Sequence, residues 1–176
     1  MKIAIIGTGN LGLSIAKGLV INNTYTTLYL SKRNIDVLSS WKEYKNVFIT
    51  QDNKEAVQNS DIIIFAVQPN QFDLILKEVK SLLTDKHVLI STITGYTIDR
   101  MESIIGNQHP IIRSMPNTAI SVGKSMTCLC SNDTGKKKLP IAEAIYNGLG
   151  TSLVIEEQHC KQLRYCVRVG LPFGCA

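Results

Sequence analysis

Along the chain, short unbroken apolar runs alternate with stretches in which apolar residues recur every three or four positions. Lys2–Ile6 is an apolar strand, and Leu11–Val20 follows with Leu11, Ile15 and Leu19 at helical spacing. Thr26–Leu30 predicts a second strand, Ile35–Tyr44 a helix, Asn46–Thr50 a third strand and Asn53–Gln58 a short helix. Ile62–Val67 is the strongest strand; its unbroken apolar run fits burial on both faces, and Pro69 stops it. Gln71–Leu83 places Phe72, Ile75, Leu76, Val79, Leu82 and Leu83 on one stripe and predicts an amphipathic helix. Beyond it, His87–Ile93 is a strand, Ile98–Ile105 a helix, and Pro110–Arg113, Met126–Cys130 and Leu153–Ile155 are short strands, with a helix over Ile141–Leu149. Strands separated by helices pair in parallel through right-handed crossovers, so the expected fold is α/β, a doubly wound and mostly parallel sheet.

The length of 176 residues holds one such domain and little more. No apolar stretch approaches the roughly 18 residues of a membrane span, and Met1–Ile6 runs straight into glycine rather than into a signal peptide, so a soluble, cytoplasmic protein is expected. The net charge of +5 is uneven: three of the 19 Lys and Arg residues, and no acid, fall after residue 159, leaving 16 cations against all 14 acids. A nucleic-acid-binding face is not expected from that balance. The cysteines have no Cys-x-x-Cys spacing and histidines are few, so neither a disulfide framework nor a metal site is expected; His87 and His109 read as structural.

The first chemical motif is Gly7-Thr8-Gly9-Asn10-Leu11-Gly12, set between the first strand and the first helix. In that context Gly7 permits a tight turn, Gly9 lets the backbone approach a pyrophosphate, and Gly12 lets the helix pack against the sheet. Amide N–H groups at the helix start then face the anion. The alternative is a glycine-rich turn without a ligand.

An NAD-type site places an acid at the end of the second strand to hold the ribose hydroxyls. Here Ser31-Lys32-Arg33 stands in its place, a hydroxyl and two cations that suit a 2′-phosphate, so NADP is favoured, with NADPH preferred and NADH possible. An ordinary solvated Lys-Arg pair is the other reading. Ligands of doubly wound sheets lie beyond the carboxyl ends of the strands, which puts Ala66, Val67, Gln68 and Pro69 against the cofactor. Met115, Pro116 and Asn117 also follow a strand, and Asn117 behind a proline suits a fixed hydrogen bond near the nicotinamide, or else a simple turn.

Together with Asn53-Lys54-Glu55 and the order Arg113-Ser114-Met115-Pro116-Asn117-Thr118, these motifs resemble the N-terminal half of the pyrroline-5-carboxylate reductases over about residues 1–158. The resemblance implies an NAD(P)H-dependent enzyme of proline biosynthesis that transfers a hydride to the C=N bond of pyrroline-5-carboxylate. It also implies Gly7 to Gly12 at the pyrophosphate, Ser31 and Arg33 at the 2′-phosphate, Asn53 on the adenosine side, and Ala66 to Gln68 near the nicotinamide ribose. Gln68 and Ser125 depart from the residues the family often carries, Lys and Gly. Two other readings stay open: an NADP-binding fragment without catalysis, and a related hydroxy-acid dehydrogenase.

The family continues into a helical domain that makes the dimer and holds the substrate, so a homo-oligomer is expected only with that domain. Here residues 159–176 form a cationic, cysteine-rich tail in its place. Reinstating one adenine between the codons of His159 and Cys160 permits a rereading as an apolar, small-residue-rich helix like the opening of that domain. A single-base deletion is therefore the expected cause, against a natural divergent tail or a deliberate truncation, and little reductase activity is expected of the chain as written.

Overall fold

Side chains alternate faces along a strand, and a sheet covered on both sides therefore needs apolar residues at every position. Ile3 and Ile5 of the first strand enter one hydrophobic core while Ala4 and Ile6 enter another, and all four are at most 1% exposed. A computed structural model describes residues 1–159. The expectations for residues 160–176 lie outside the described residues.

Among the described residues eight strands form one sheet: β1 (Lys2–Ile6), β2 (Thr27–Ser31), β3 (Val47–Thr50), β4 (Ile62–Phe65), β5 (Val88–Ser91), β6 (Ile111–Pro116), β7 (Ser125–Ser131) and β8 (Gly150–Val154). Their order is β3-β2-β1-β4-β5-β6-β7-β8. Among the described residues the α-helices are α1 (Asn10–Ile21), α2 (Asn53–Gln58), α3 (Pro69–Val79), α4 (Ile98–Ile105) and α5 (Leu139–Asn147). Residues of α1 and α5 pack into the core on one face of the sheet, and residues of α2, α3 and α4 into that on the other. The order reverses between β1 and β4, which is the switch point where doubly wound sheets open a crevice.

Strands β3 to β6 in that order are parallel, but β7 pairs antiparallel with β6, and β8 runs parallel to β7. The cause is the connection: after β6 the chain makes only a 3-10 turn, Thr118–Val122, closed by Gly123 at φ +67°. A parallel return needs about a dozen residues or more, so the chain folds back instead. The antiparallel ladder also carries β6 on to Pro116, opposite Thr127, so Ser114 to Pro116 lie within the strand rather than in a loop after it. The helix expected over Ile35–Tyr44 is a 3-10 helix, Asp36–Glu43, in which only Leu38 is buried. Too little apolar surface faces the sheet there to hold an α-helix against the weak propensities of Val37, Ser39 and Ser40. Helix α3 starts two residues before the expected Gln71, because Pro69 needs no amide partner in a first turn, and it gives way to 3-10 geometry at Lys80–Leu82.

Both core histidines are tied into local structure. His87 Nδ1 accepts from the Thr84 amide at 2.9 Å, which leaves Nε2 to donate toward the Val57 carbonyl at 3.3 Å. His109 Nδ1 lies 3.3 Å from the Thr84 carbonyl. Between α3 and α4, Tyr96 donates to Asp73 at 2.6 Å, and Arg100 bonds the other oxygen of that carboxylate at 3.0 Å while covering the Tyr96 ring. Burial, and then the bond to Asp73, push the Tyr96 hydroxyl up to about 12; the bonds from Tyr96 and then Arg100 hold Asp73 below the ordinary carboxylate range.

Helix N-termini are capped unequally. The Asp52 side chain accepts from the Lys54 amide at α2. At α4, Thr97 accepts from the Arg100 amide, and Glu157 accepts from the Ile98 amide at 2.9 Å while pairing with the buried Arg113 at 2.7 Å. Neither α1 nor α3 has a side-chain cap or an acid in its first turn.

Candidate functional site

The chain leaves β1 through a turn that only glycine can make. Gly7 has φ +91°, and a Cβ there would collide with the Val67 side chain and lie 2.9 Å from the Ala66 carbonyl oxygen. Gly9, at the start of α1, has ordinary extended geometry, and a Cβ there would meet nothing within 4 Å. Gly12 lies beneath the turn, where a Cβ would come within 2.5 Å of the Gly7 carbonyl oxygen. The three glycines thus do three different things: one bends, one keeps space open, and one lets α1 pack.

Three donors, the Gly7 and Thr8 amides and the Thr8 hydroxyl, converge on the Ser31 carbonyl at 3.1–3.2 Å and lock the turn to the end of β2. Thr8 is fully buried, so its side chain shapes the loop from within. Lys32 donates to the Thr8 carbonyl at 2.9 Å. Ser31 donates to Asn53 Oδ1 at 2.6 Å, and Asn53 Nδ2 donates to Glu78 at 3.1 Å. The Arg33 side chain is exposed and has no partner among the described residues.

These groups border a cleft of about 660 Å³ at the β1–β4 switch point. Of the expected site residues, Gly7, Thr8, Gly9, Ser31, Lys32, Arg33, Asn53, Ala66, Val67 and Gln68 line it. Asn10, Leu11 and Gly12 form the first turn of α1 behind the lining, and Pro69 begins α3. Met115 and Pro116 end β6 away from this cleft, and Asn117 Oδ1 accepts from the Ala119 amide at 3.2 Å, capping the 3-10 turn. The lining also includes Gln51, Gln71, Leu74, Ile75 and Glu78. Gln51 follows β3 at the same carboxyl edge, so the strand-end rule reaches it. Gln71, Ile75 and Glu78 recur at helical spacing on α3, beside the core stripe of Phe72, Leu76 and Val79. A larger hollow of about 910 Å³ lies between α4 and the β7–β8 side of the sheet and contains none of the motif residues.

The arrangement can take an extended, doubly anionic ligand. The uncapped starts of α1 and α3 border one cleft, the open space above Gly9 admits a phosphate group against the backbone, and Arg33 offers an uncommitted cation beside β2.

Residues 2–95 match the family described as NADP oxidoreductase coenzyme F420-dependent. Pyrroline-5-carboxylate reductase 1 of Dictyostelium discoideum is 34% identical over 187 residues, covering 98% of this chain and 34% of that protein. The structure of a pyrroline-5-carboxylate reductase from Coxiella burnetii superposes with a TM-score of 0.90 at 31% identity, over 96% of this chain and 64% of that one. That of a Plasmodium falciparum pyrroline carboxylate reductase with NADP bound gives 0.83 at 25% identity, over 95% and 62%. The chain spans between about a third and just under two thirds of these relatives' lengths. By its fold, its glycine turn and this match, the chain belongs to the NADP oxidoreductase coenzyme F420-dependent family, and over nearly its whole length it is similar to the pyrroline-5-carboxylate reductases.

Proposed function

We propose that the described residues form the cofactor domain of a pyrroline-5-carboxylate reductase and bind NADPH in the cleft between β1 and β4. The observation that carries the reading is the space above Gly9, kept open by a residue whose backbone tolerates a side chain and yet has none. When bound, NADPH supplies the hydride that reduces a C=N bond. The protein's part is to fix the dinucleotide: the α1 amides and Gly9 take the pyrophosphate, Arg33 the 2′-phosphate, and Ala66 to Gln68 border the nicotinamide half. Of the Ser31-Lys32-Arg33 set, Arg33 carries most of the phosphate recognition, because Lys32 and Ser31 already have partners within the protein.

The solved relative with NADP bound supports this assignment at the level of the whole domain. Asn117 and the end of β6 lie outside the cleft, and we place them near the nicotinamide only by their position at the carboxyl edge. The test is a steady-state assay of the 176-residue chain with NADPH and pyrroline-5-carboxylate, alongside cofactor titration. Turnover supports the reductase reading in full. Tight NADPH binding without turnover supports the second reading, a cofactor-binding unit, which the cleft favours in that its lining comes from the glycine turn, the β2–β4 strand ends and α3. Sequencing the coding DNA across the His159–Cys160 junction tests the expected frame change. Absence of NADPH binding overturns the assignment of the cleft.

A further inference from the structure

Three polar side chains beside β2 form a chain with a direction. Asn53 Nδ2 lies 3.1 Å from Glu78 Oε2, and Asn53 Oδ1 lies 2.6 Å from the Ser31 hydroxyl. A carboxylate can only accept, so the NH2 of the amide must face Glu78; its oxygen then faces Ser31, and the shared proton is the one on Ser31. Ser31 therefore turns lone pairs toward the cleft. A ribose 2′-hydroxyl can donate to them, whereas the oxygens of a 2′-phosphate dianion cannot.

Glu78 also brings a negative charge into the lining that Lys32 and Arg33 share. It comes from α3, not from the end of β2 where an NAD-type site carries its acid, so the residues around Ser31 give no sign of it. We propose that Glu78 is a positioning residue for cofactor discrimination: by orienting the Asn53 amide it commits the Ser31 proton, and so holds the preference for a 2′-phosphorylated dinucleotide below what Arg33 provides. This rests on the reading of the cleft as an NAD(P)H site. Replacing Glu78 with Gln keeps the size and helix propensity of the side chain but introduces a group that can donate. The Asn53 amide is then free to turn over, and Ser31 to donate to a phosphate.

Dissociation constants for NADPH and NADH are measured on the wild-type chain, Glu78→Gln, Ser31→Ala and the double variant, at low and moderate salt. Glu78→Gln is expected to shift the preference toward NADPH by about tenfold, near the lower end of what one hydrogen bond to a charged group contributes. Glu78→Ala shifts it in the same direction, and Ser31→Ala removes most of the gain. Glu78 is exposed, and circular dichroism checks that the variants fold. An unchanged NADPH/NADH ratio in both Glu78 variants overturns the proposal. So does a gain that survives Ser31→Ala and vanishes with salt, which is the mark of bare charge. If the wild type binds neither dinucleotide, the cofactor reading falls and this inference with it; if it binds NADPH and only the ratio stays fixed, the cofactor reading stands alone.

Discussion

Gly7 and Gly9 are two residues apart in one motif, yet substitution should separate stability from binding. At Gly7 any side chain meets two penalties. A left-handed backbone costs a non-glycine residue about 1–2 kcal/mol, and forcing a methyl group against Val67 and the Ala66 carbonyl adds about 1–3 kcal/mol of overpacking. Gly7→Ala is therefore expected to lose roughly 2–5 kcal/mol, and at about 2–4 °C per kcal/mol for a chain of this size its Tm should fall by roughly 4–20 °C. At Gly9 the backbone is extended and the space is open, so Gly9→Val should change stability by less than about 1 kcal/mol, chiefly through a poorer helix cap. That same side chain fills the volume assigned to the pyrophosphate, and NADPH binding should be lost. Thermal unfolding and cofactor titration on both variants measure the two effects. Wild-type NADPH affinity in Gly9→Val would falsify the placement of the pyrophosphate, and an unshifted Tm in Gly7→Ala would refute the account of the turn.

Arg33→Ala should weaken NADPH by about tenfold or more while sparing NADH, and Lys32→Ala should cost less, since its amine is held by the Thr8 carbonyl; comparing the two titrations decides it. Glu157→Ala leaves the Arg113 guanidinium, 8% exposed, without its carboxylate and removes the acceptor of the Ile98 amide, so a loss of about 3 kcal/mol is expected on chemical denaturation. Alkali should act through Tyr96. Its folded value is raised, so the stability it contributes is fully present below the unfolded value near 10 and is lost as pH rises toward about 12; Tyr96→Phe should flatten that part of the stability profile. Acid should act through Asp73 in the opposite sense: its contribution is present above the ordinary Asp value and lost as pH falls through its lowered one, and Asp73→Asn should remove that dependence.

What was legible in the chain was local. β1, α2 and α4 begin and end where the apolar pattern places them, and the glycine turn follows from residue type and its position between strand and helix. The cleft face of α3 was hidden by its neighbour: the apolar stripe of Phe72, Leu76 and Val79 marks the core, and Gln71 and Glu78 look like solvated positions until the fold sets them on the cleft, with Asn53 of α2 beside Glu78. The commitment of Lys32 depends on how far a flexible side chain reaches toward a carbonyl 24 residues earlier, which no local pattern encodes. The reversal at β7 lay in the shortness of the Asn117–Lys124 connection, a signal outweighed by the alternation of strands and helices before it.

The unequal capping of the helices has an electrostatic consequence for the carboxyl edge as a whole. Every helix that starts there offers a partial positive charge, and an edge with four equal starts would attract anions in several places at once. The protein answers two of them with its own carboxylates, Asp52 at α2 and Glu157 at α4, and leaves α1 and α3 without one. The two unanswered starts border one cleft, which Asn53 at the answered start of α2 also lines. Internal acids thus act as resident counter-ions at two of the four starts, and the positive helix ends left for an incoming phosphate are those of α1 and α3.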